Sequence, residues 1–402
     1  MKTTDKISDI IYYLRNNAVL LFAFSLPLHR LLSSYALALW ALVSIISLFY
    51  KNKDSKPQNR KQYIHLLLLP LLFLLYLIGI LYSEGTNEAL LKINVSIVYL
   101  FLPFVFYKSR EYIHIRKVLL SFIYGLLLSI FLLLIIFLVS PVDINLDSFY
   151  TSFSIFHPQA YFAMMITIAI GSILFINEKI RFSIAVRLLL IGFLSLIVFL
   201  ISSKSGLICI LLILFIKLIQ VFIQSRNTIL KLSLSLVLLI ISVLLINNSR
   251  FQDMITNIKN LSKSDKALHP TESTSSRVAI WRSSIEMIKE SPIFGYGTGD
   301  ANAALMESYK RDALMLKHLI ERKYNAHNTF FQLWLMVGVL GPLILLFLLY
   351  ILMYKQNFSY YSIAIVVIFF LNFLLESMLE RHAGVMTFSF IACLLLIKNN
   401  KD

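Results

Sequence analysis

The residue types best suited to chemistry in this chain are one histidine and a few fixed cations, placed where long apolar runs begin or end or within the one large polar loop. His327 and Asn328 open the segment HNTFFQLWLMVGVLG (327–341), which also carries Gly338 and Gly341. A neutral imidazole, whose pKa in short peptides is about 6.5, can take a proton from a hydroxyl at neutral pH. Position alone equally fits a polar residue that marks the membrane surface. Arg277 and Lys204 are cations of the kind that stabilise negative charge developing on a leaving group. Arg282 follows Arg277 by five residues, about 140° around an ideal helix, so it reads equally as a solvated charge. His157 precedes Pro158 at the start of another apolar run, and Glu376, Glu380, Arg381 and His382 surround a turn near the carboxyl terminus. Ionisable groups at the edges of membrane runs are functional candidates, although a local Glu–Arg pair would explain the 376–382 cluster structurally. His29 and Arg30 sit in a comparable place nearer the amino terminus.

The elements that must position these groups are membrane helices. Hydrophobic residues make up 58% of the 402-residue chain and charged residues only 14%, with a mean hydropathy of +0.79, which excludes an ordinary soluble domain. The apolar residues come in blocks of roughly 18 to 25, the length that crosses a bilayer as a helix. Continuous Leu/Ile/Phe runs do not alternate as barrel strands would, so the expected fold is all-α, with about twelve transmembrane helices. They are expected near 11–28, 31–50, 63–82, 91–107, 117–140, 157–176, 184–202, 205–223, 228–247, 327–354, 359–376 and 381–397. Pro27, His29 and Arg30 are read as a tight hairpin between the first two. Cys209 and Cys393 lie within apolar runs and read as packing residues.

The net charge of +16 reflects basic residues in short loops rather than a nucleic-acid surface. With the amino terminus inside, the Lys- and Arg-rich segments 51–61, 108–117, 177–181, 224–231, 355–356 and 398–402 all fall in the cytoplasm. The opposite loops 83–89 and 141–156 contain no Lys or Arg. This pattern predicts a multi-pass protein of the bacterial inner membrane with both termini cytoplasmic. The start of the chain reads as a first membrane helix rather than a removed signal. Residues 248–326, between the ninth and tenth expected spans, form one large polar loop on the periplasmic side of a single integral membrane domain, 1–402. Within it, Val278, Trp281, Ile285 and Ile288 recur at helical spacing over 275–290. Ser291-Pro292 ends that helix, Gly295, Gly297 and Gly299 permit a tight turn, and a second amphipathic helix is expected from about 302 to 322.

His-Asn followed by nine residues and Gly-x-x-Gly resembles the pattern of the O-antigen ligase and polymerase superfamily of bacterial envelope glycosyltransferases. SSRVAIWRSSIEMIKESPIFGYGTG (275–299) is similar to that family's periplasmic loop, with an arginine four residues before a tryptophan and then a Pro-x-x-Gly-x-Gly turn. The segment ISSKSG (201–206) adds to the likeness, but carries Lys204 where many members have arginine. The charge survives and the bidentate geometry does not. By motif the resemblance covers roughly the second half of the chain, and elsewhere only the architecture.

The resemblance implies transfer of a glycan from undecaprenyl diphosphate to lipid A–core or a related acceptor. The diphosphate is already a good leaving group, so the reaction needs cations more than a general acid. His327 is expected to activate the acceptor hydroxyl and Arg277 to contact the diphosphate, assisted by Lys204. Arg282, Tyr296, His157 and Arg381 are further substrate-binding candidates, Tyr296 as a platform for a sugar. The outer loops hold no closely spaced carboxylate pair of the kind retaining glycosidases use, which favours inversion. No metal cluster or nucleotide-binding motif is evident, so activity without a metal or other cofactor is expected. A polymerase joining lipid-linked repeats is the close alternative. A transporter for the same lipid-linked glycan is the alternative of another class, though it should show charges deep within spans and a repeat between halves. Sugar, acceptor and oligomeric state are not written in the sequence.

Overall fold

The computed structural model describes residues 2–49, 60–111, 113–139, 149, 151–176, 182–201, 203–246, 252, 273–311 and 317–397, and these form helices and turns without strands. Helices α1 (Lys2–Ser25) and α2 (Arg30–Ile46) form a tight hairpin, and the N-terminal cap of α2 is the His29 imidazole, whose Nδ1 accepts from Leu31 N–H. A 3₁₀ turn (Arg60–Leu67) leads into α3 (Leu68–Ile80), followed by α4 (Thr86–Ser96), α5 (Val98–Ser109) and α6 (Ile115–Val139). Then come α7 (Gln159–Phe175), α8 (Ile184–Leu200), α9 (Lys204–Gln224) and α10 (Thr228–Ile246). The large loop contributes α11 (Ser273–Glu290), α12 (Ala301–Arg311) and the short α13 (Lys317–Glu321). Finally α14 (Thr329–Val337), α15 (Leu340–Lys355), α16 (Tyr360–Leu375) and α17 (His382–Leu396) close the chain.

Four stretches, Tyr63–Ile80, Thr86–Ser109, Ile115–Val139 and Lys204–Gln224, are long and apolar enough to cross a bilayer, and several shorter apolar helices accompany them. The lipid-facing character is plain on α8 and α10, where Ile184, Leu188, Leu189, Ile229 and Leu232 are all exposed. In water such a surface would be an aggregation site; in a bilayer it is solvated by acyl chains. By contrast α7 and α17 are buried on nearly every face, as helices apolar all round must be when they form the centre of a bundle. Helix α7 packs on α6, α8, α9 and α16, whereas α17 packs on α4, α5 and α15.

Three sequence expectations change. The span expected over 91–107 begins earlier and is two helices, α4 and α5, meeting at Ile97. The amphipathic helix expected over 302–322 is split into α12 and α13, and residues 312–316 between them lie outside the described residues. The helix expected over 327–354 is broken into α14 and α15 at Gly338, whose φ is +70°. The cause is a close approach that no helix-period reading contains. A Cβ on Gly338 would lie 1.7 Å from the carbonyl oxygen of Ile293, so the glycine admits the loop segment 292–298 against the end of α14. That segment then satisfies the carbonyls the break releases: Tyr296 N–H donates to Leu335 O (2.7 Å) and Gly297 N–H to Met336 O (3.1 Å). In return Val339 N–H and the Trp334 indole donate to Pro292 O, at 3.2 and 2.7 Å.

Candidate active site

The amino-terminal end of α14 is fixed by its own side chains before it meets anything else. Asn328 caps the helix, its Oδ1 accepting from Phe330 and Phe331 N–H at 2.9 and 3.1 Å. Thr329 Oγ1 donates to Glu376 O (2.8 Å) and accepts from Met378 N–H (2.9 Å), while Asn328 N–H donates to Ser377 Oγ (3.2 Å). These bonds clamp the start of α14 to the turn after α16. Gln332 ties in the loop, accepting from Ala326 N–H (3.0 Å) and donating to Asn302 Oδ1 on α12 (2.9 Å).

His327, one residue before the cap, takes a left-handed φ of +42°, a conformation non-glycine residues adopt rarely and at some cost. Its N–H donates to Asn325 Oδ1 (3.1 Å), its carbonyl accepts from the Trp281 indole (3.4 Å), and the Tyr324 ring meets the imidazole edge-on at 5.1 Å. Thus held, the ring directs Nδ1 onto the Glu376 carboxylate, 2.9 Å from Oε1 and 3.1 Å from Oε2. Arg277, on the first turns of α11, brings a guanidinium nitrogen to 3.8 Å from the same carboxylate. The three groups come from three separate elements and form one cluster.

Burial opposes ionisation of Glu376, but the hydrogen bond and charge of His327, the charge of Arg277 and the Ser377 N–H outweigh it. The carboxyl is therefore held below its ordinary value and is an anion at neutral pH. An anionic acceptor on Nδ1 fixes the tautomer in which Nε2 carries the lone pair. The Nε of Arg277 is buried without a hydrogen-bond partner, so the guanidinium still has donor capacity beside the imidazole.

The remaining sequence candidates are distributed around this cluster unevenly. Lys204 is the first residue of α9, after the Ser203 cap that accepts from Gly206 N–H. The Asn372 amide lies 3.5 Å from Cys209 Sγ, which aligns α9 with α16 and puts Lys204 and Glu376 at the same end of the bundle. Arg282 is exposed and pairs with Glu286 at 3.7 Å, one turn further along its own helix. The hydroxyl of Tyr296 donates to Met287 O and reaches Glu290 Oε2, both 3.1 Å away, so its described bonds build the glycine turn. His157 is buried with an unpartnered Nε2. Its pKa is pushed down to about 4, first by burial and then by the nearby His29. Arg381 is exposed at the start of α17, and Glu380 pairs not with it but with Lys92 of α4. A local Glu–Arg pair is therefore not what explains that turn, whose Glu376 meets Arg277 of the loop instead. Lys92 was missed, although a lysine inside an expected span is itself a signal.

Close by, a groove of about 740 Å³ between α2, the α4–α5 junction and α17 has apolar walls, with Arg30, Ser34, Asn94 and His382 among its lining residues. His382 Nε2 meets Ser34 Oγ at 3.0 Å, while its Nδ1 is buried without a partner.

Residues 188–346 match the family model described as O-antigen ligase. That match covers less than half of the chain and is the same likeness that the His-Asn and glycine motifs carry. The matched segment contains Lys204, Arg277, Arg282, Tyr296 and His327, while His157, Glu376 and Arg381 fall outside it. No curated protein matches the chain.

Proposed function

We propose that this protein is an O-antigen ligase-type glycosyltransferase, moving a glycan from undecaprenyl diphosphate to a hydroxyl of lipid A–core or a related acceptor. The observation that supports it best is the His327–Glu376–Arg277 cluster, in which a base, its orienting anion and a cation with spare donors share one small volume. Nε2 of His327 takes the proton of the acceptor hydroxyl as its oxygen bonds to the anomeric carbon. The bond from that carbon to the diphosphate oxygen breaks, and its electron pair leaves with the diphosphate. Arg277, assisted by Lys204, stabilises the charge that develops there. Glu376 acts through His327, as a positioning residue that stabilises the imidazolium formed. One displacement inverts the anomeric carbon, and no step calls for a metal.

The apolar groove beside Arg30 and His382 suits the isoprenoid tail of the donor, whose phosphates would then lie near the same end of the bundle. Basic residues at the other ends of the helices favour a periplasmic site and cytoplasmic termini in the inner membrane. Purified protein in detergent, given lipid-linked glycan and acceptor, should form a covalent product that His327→Ala abolishes and that a chelator leaves unchanged. Intact transfer by His327→Ala would remove the assignment. The polymerase reading shares every one of these groups. A strain lacking the protein separates the two, since loss of a ligase leaves carrier-linked long polymer and loss of a polymerase leaves single repeats. A transporter would give no covalent product at all.

A further inference from the structure

At the end of the bundle away from His327 lies a second cationic pocket, of about 430 Å³, lined by Arg187 of α8, Lys217 and Gln220 of α9, Gln356 after α15 and Tyr361 of α16. Tyr361 and Glu376 flank the same helix, about 22 Å apart along its axis, so this pocket shares nothing with the catalytic cluster. Among the described residues its electrostatics are one-sided. Helices α6, α7, α8, α9, α15, α16 and α17 all line or border it, and none of them contains an aspartate or glutamate. Lys217 Nζ donates to the neutral Gln220 Oε1 (2.9 Å) and sits 5.2 Å from the centre of the Phe175 ring. The Nε of Arg187 is buried without a hydrogen-bond partner. The other polar groups are already engaged: Gln356 donates to Leu395 O, and the Tyr361 hydroxyl meets Ser172 Oγ at 3.3 Å.

Two half-buried cations lining one pocket, with donors to spare and no described carboxylate, call for an anion. The geometry points to the phosphate of an anionic phospholipid from the leaflet opposite His327, bound between Arg187 and Lys217. A phospholipid is the natural source, because Ile184, Leu188 and Leu189 stand exposed on α8 around Arg187 and offer its acyl chains an apolar path. A guanidinium fork with a point-charge ammonium is a common way to hold a phosphate. The inference rests on the membrane bundle and not on the transferase reading.

Native mass spectrometry of the detergent-purified protein tests it, with phosphatidylglycerol and phosphatidylcholine of identical acyl chains as probes. The wild-type protein should retain phosphatidylglycerol preferentially, and millimolar inorganic phosphate should not displace it. Arg187→Gln and Lys217→Met should each weaken retention by ~10-fold or more, Lys217→Met keeping the aliphatic stem on Phe175. Equal retention of the two lipids by the wild-type protein would overturn the proposal without recourse to a variant. So would unchanged binding by both variants, or displacement of the lipid by free phosphate, which would assign the pocket to a soluble anion.

Discussion

Replacing Glu376 by glutamine tests the catalytic role proposed for the His327–Glu376–Arg277 cluster at its centre while leaving the scaffold in place. The side chains are nearly isosteric, and the contact that clamps α14, Thr329 Oγ1 to Glu376 O, uses the backbone and survives the change. What disappears is the charge facing His327 Nδ1 at 2.9 Å and Arg277 at 3.8 Å. A glutamine can present its amide nitrogen to Nδ1, which selects the tautomer with the proton on Nε2 and removes the base. The loss is bounded by what a positioned general base contributes, about 10²- to 10⁴-fold, or roughly 3 to 5 kcal/mol of barrier at 1.36 kcal/mol per tenfold. It should appear in kcat with little change in KM, because Glu376 acts through His327 rather than on a substrate. The assay is single-turnover glycan transfer by protein in lipid nanodiscs, with thermal unfolding measured in parallel. Wild-type kcat in a folded Glu376→Gln protein would refute the role given to the His327–Glu376 pair. A drop in melting temperature that accounts for all the lost activity would make the contact structural.

Gly338→Ala should be among the most damaging single substitutions: φ of +70° costs a non-glycine residue roughly 1 to 3 kcal/mol before the clash with Ile293 O, and thermal unfolding should register the sum. Asn328→Ala removes an acceptor shared by two helix N–H groups, worth about 0.5 to 2 kcal/mol, and should lower both melting temperature and transfer, because His327 is the adjacent residue. The carboxyl of Glu376 titrates below its unfolded value, so its contribution to stability is present above that value and is lost as pH falls through the folded one. Acid unfolding of the wild-type protein should therefore be steeper than that of Glu376→Gln, as measured by tryptophan fluorescence between pH 6 and pH 3.

How much of this site was legible in the sequence differs from residue to residue. Arg277 lies inside the large polar loop and was singled out by its motif, four residues before Trp281, whereas His327 stood out because a titratable side chain at the edge of an apolar run is costly and therefore conspicuous. Glu376 was visible for the same reason, but its partner was not. Nothing local distinguishes a carboxylate that meets Arg381 five residues later from one that meets His327, 49 residues earlier, and the same ambiguity hid the pairing of Glu380 with Lys92. The break in α14–α15 was equally hidden. Two glycines in an apolar helix read as small residues for helix packing, whereas the backbone at Gly338 turns because Ile293 of the loop lies against it.

Sequence alone determined the solvent of this chain, since hydropathy and run length act residue by residue and need no partner. It also determined which side chains carry unusual chemistry, because the bilayer makes each charge expensive wherever it falls. Only the tertiary structure decided which of those charges meet. The carboxylate opposite His327, the cations that line the far pocket and the carbonyl that rules out a side chain at residue 338 are all encounters between distant segments. Such pairings depend on helix packing within a bundle, where hydrophobicity is the same on every side and only shape and specific contacts distinguish one neighbour from another.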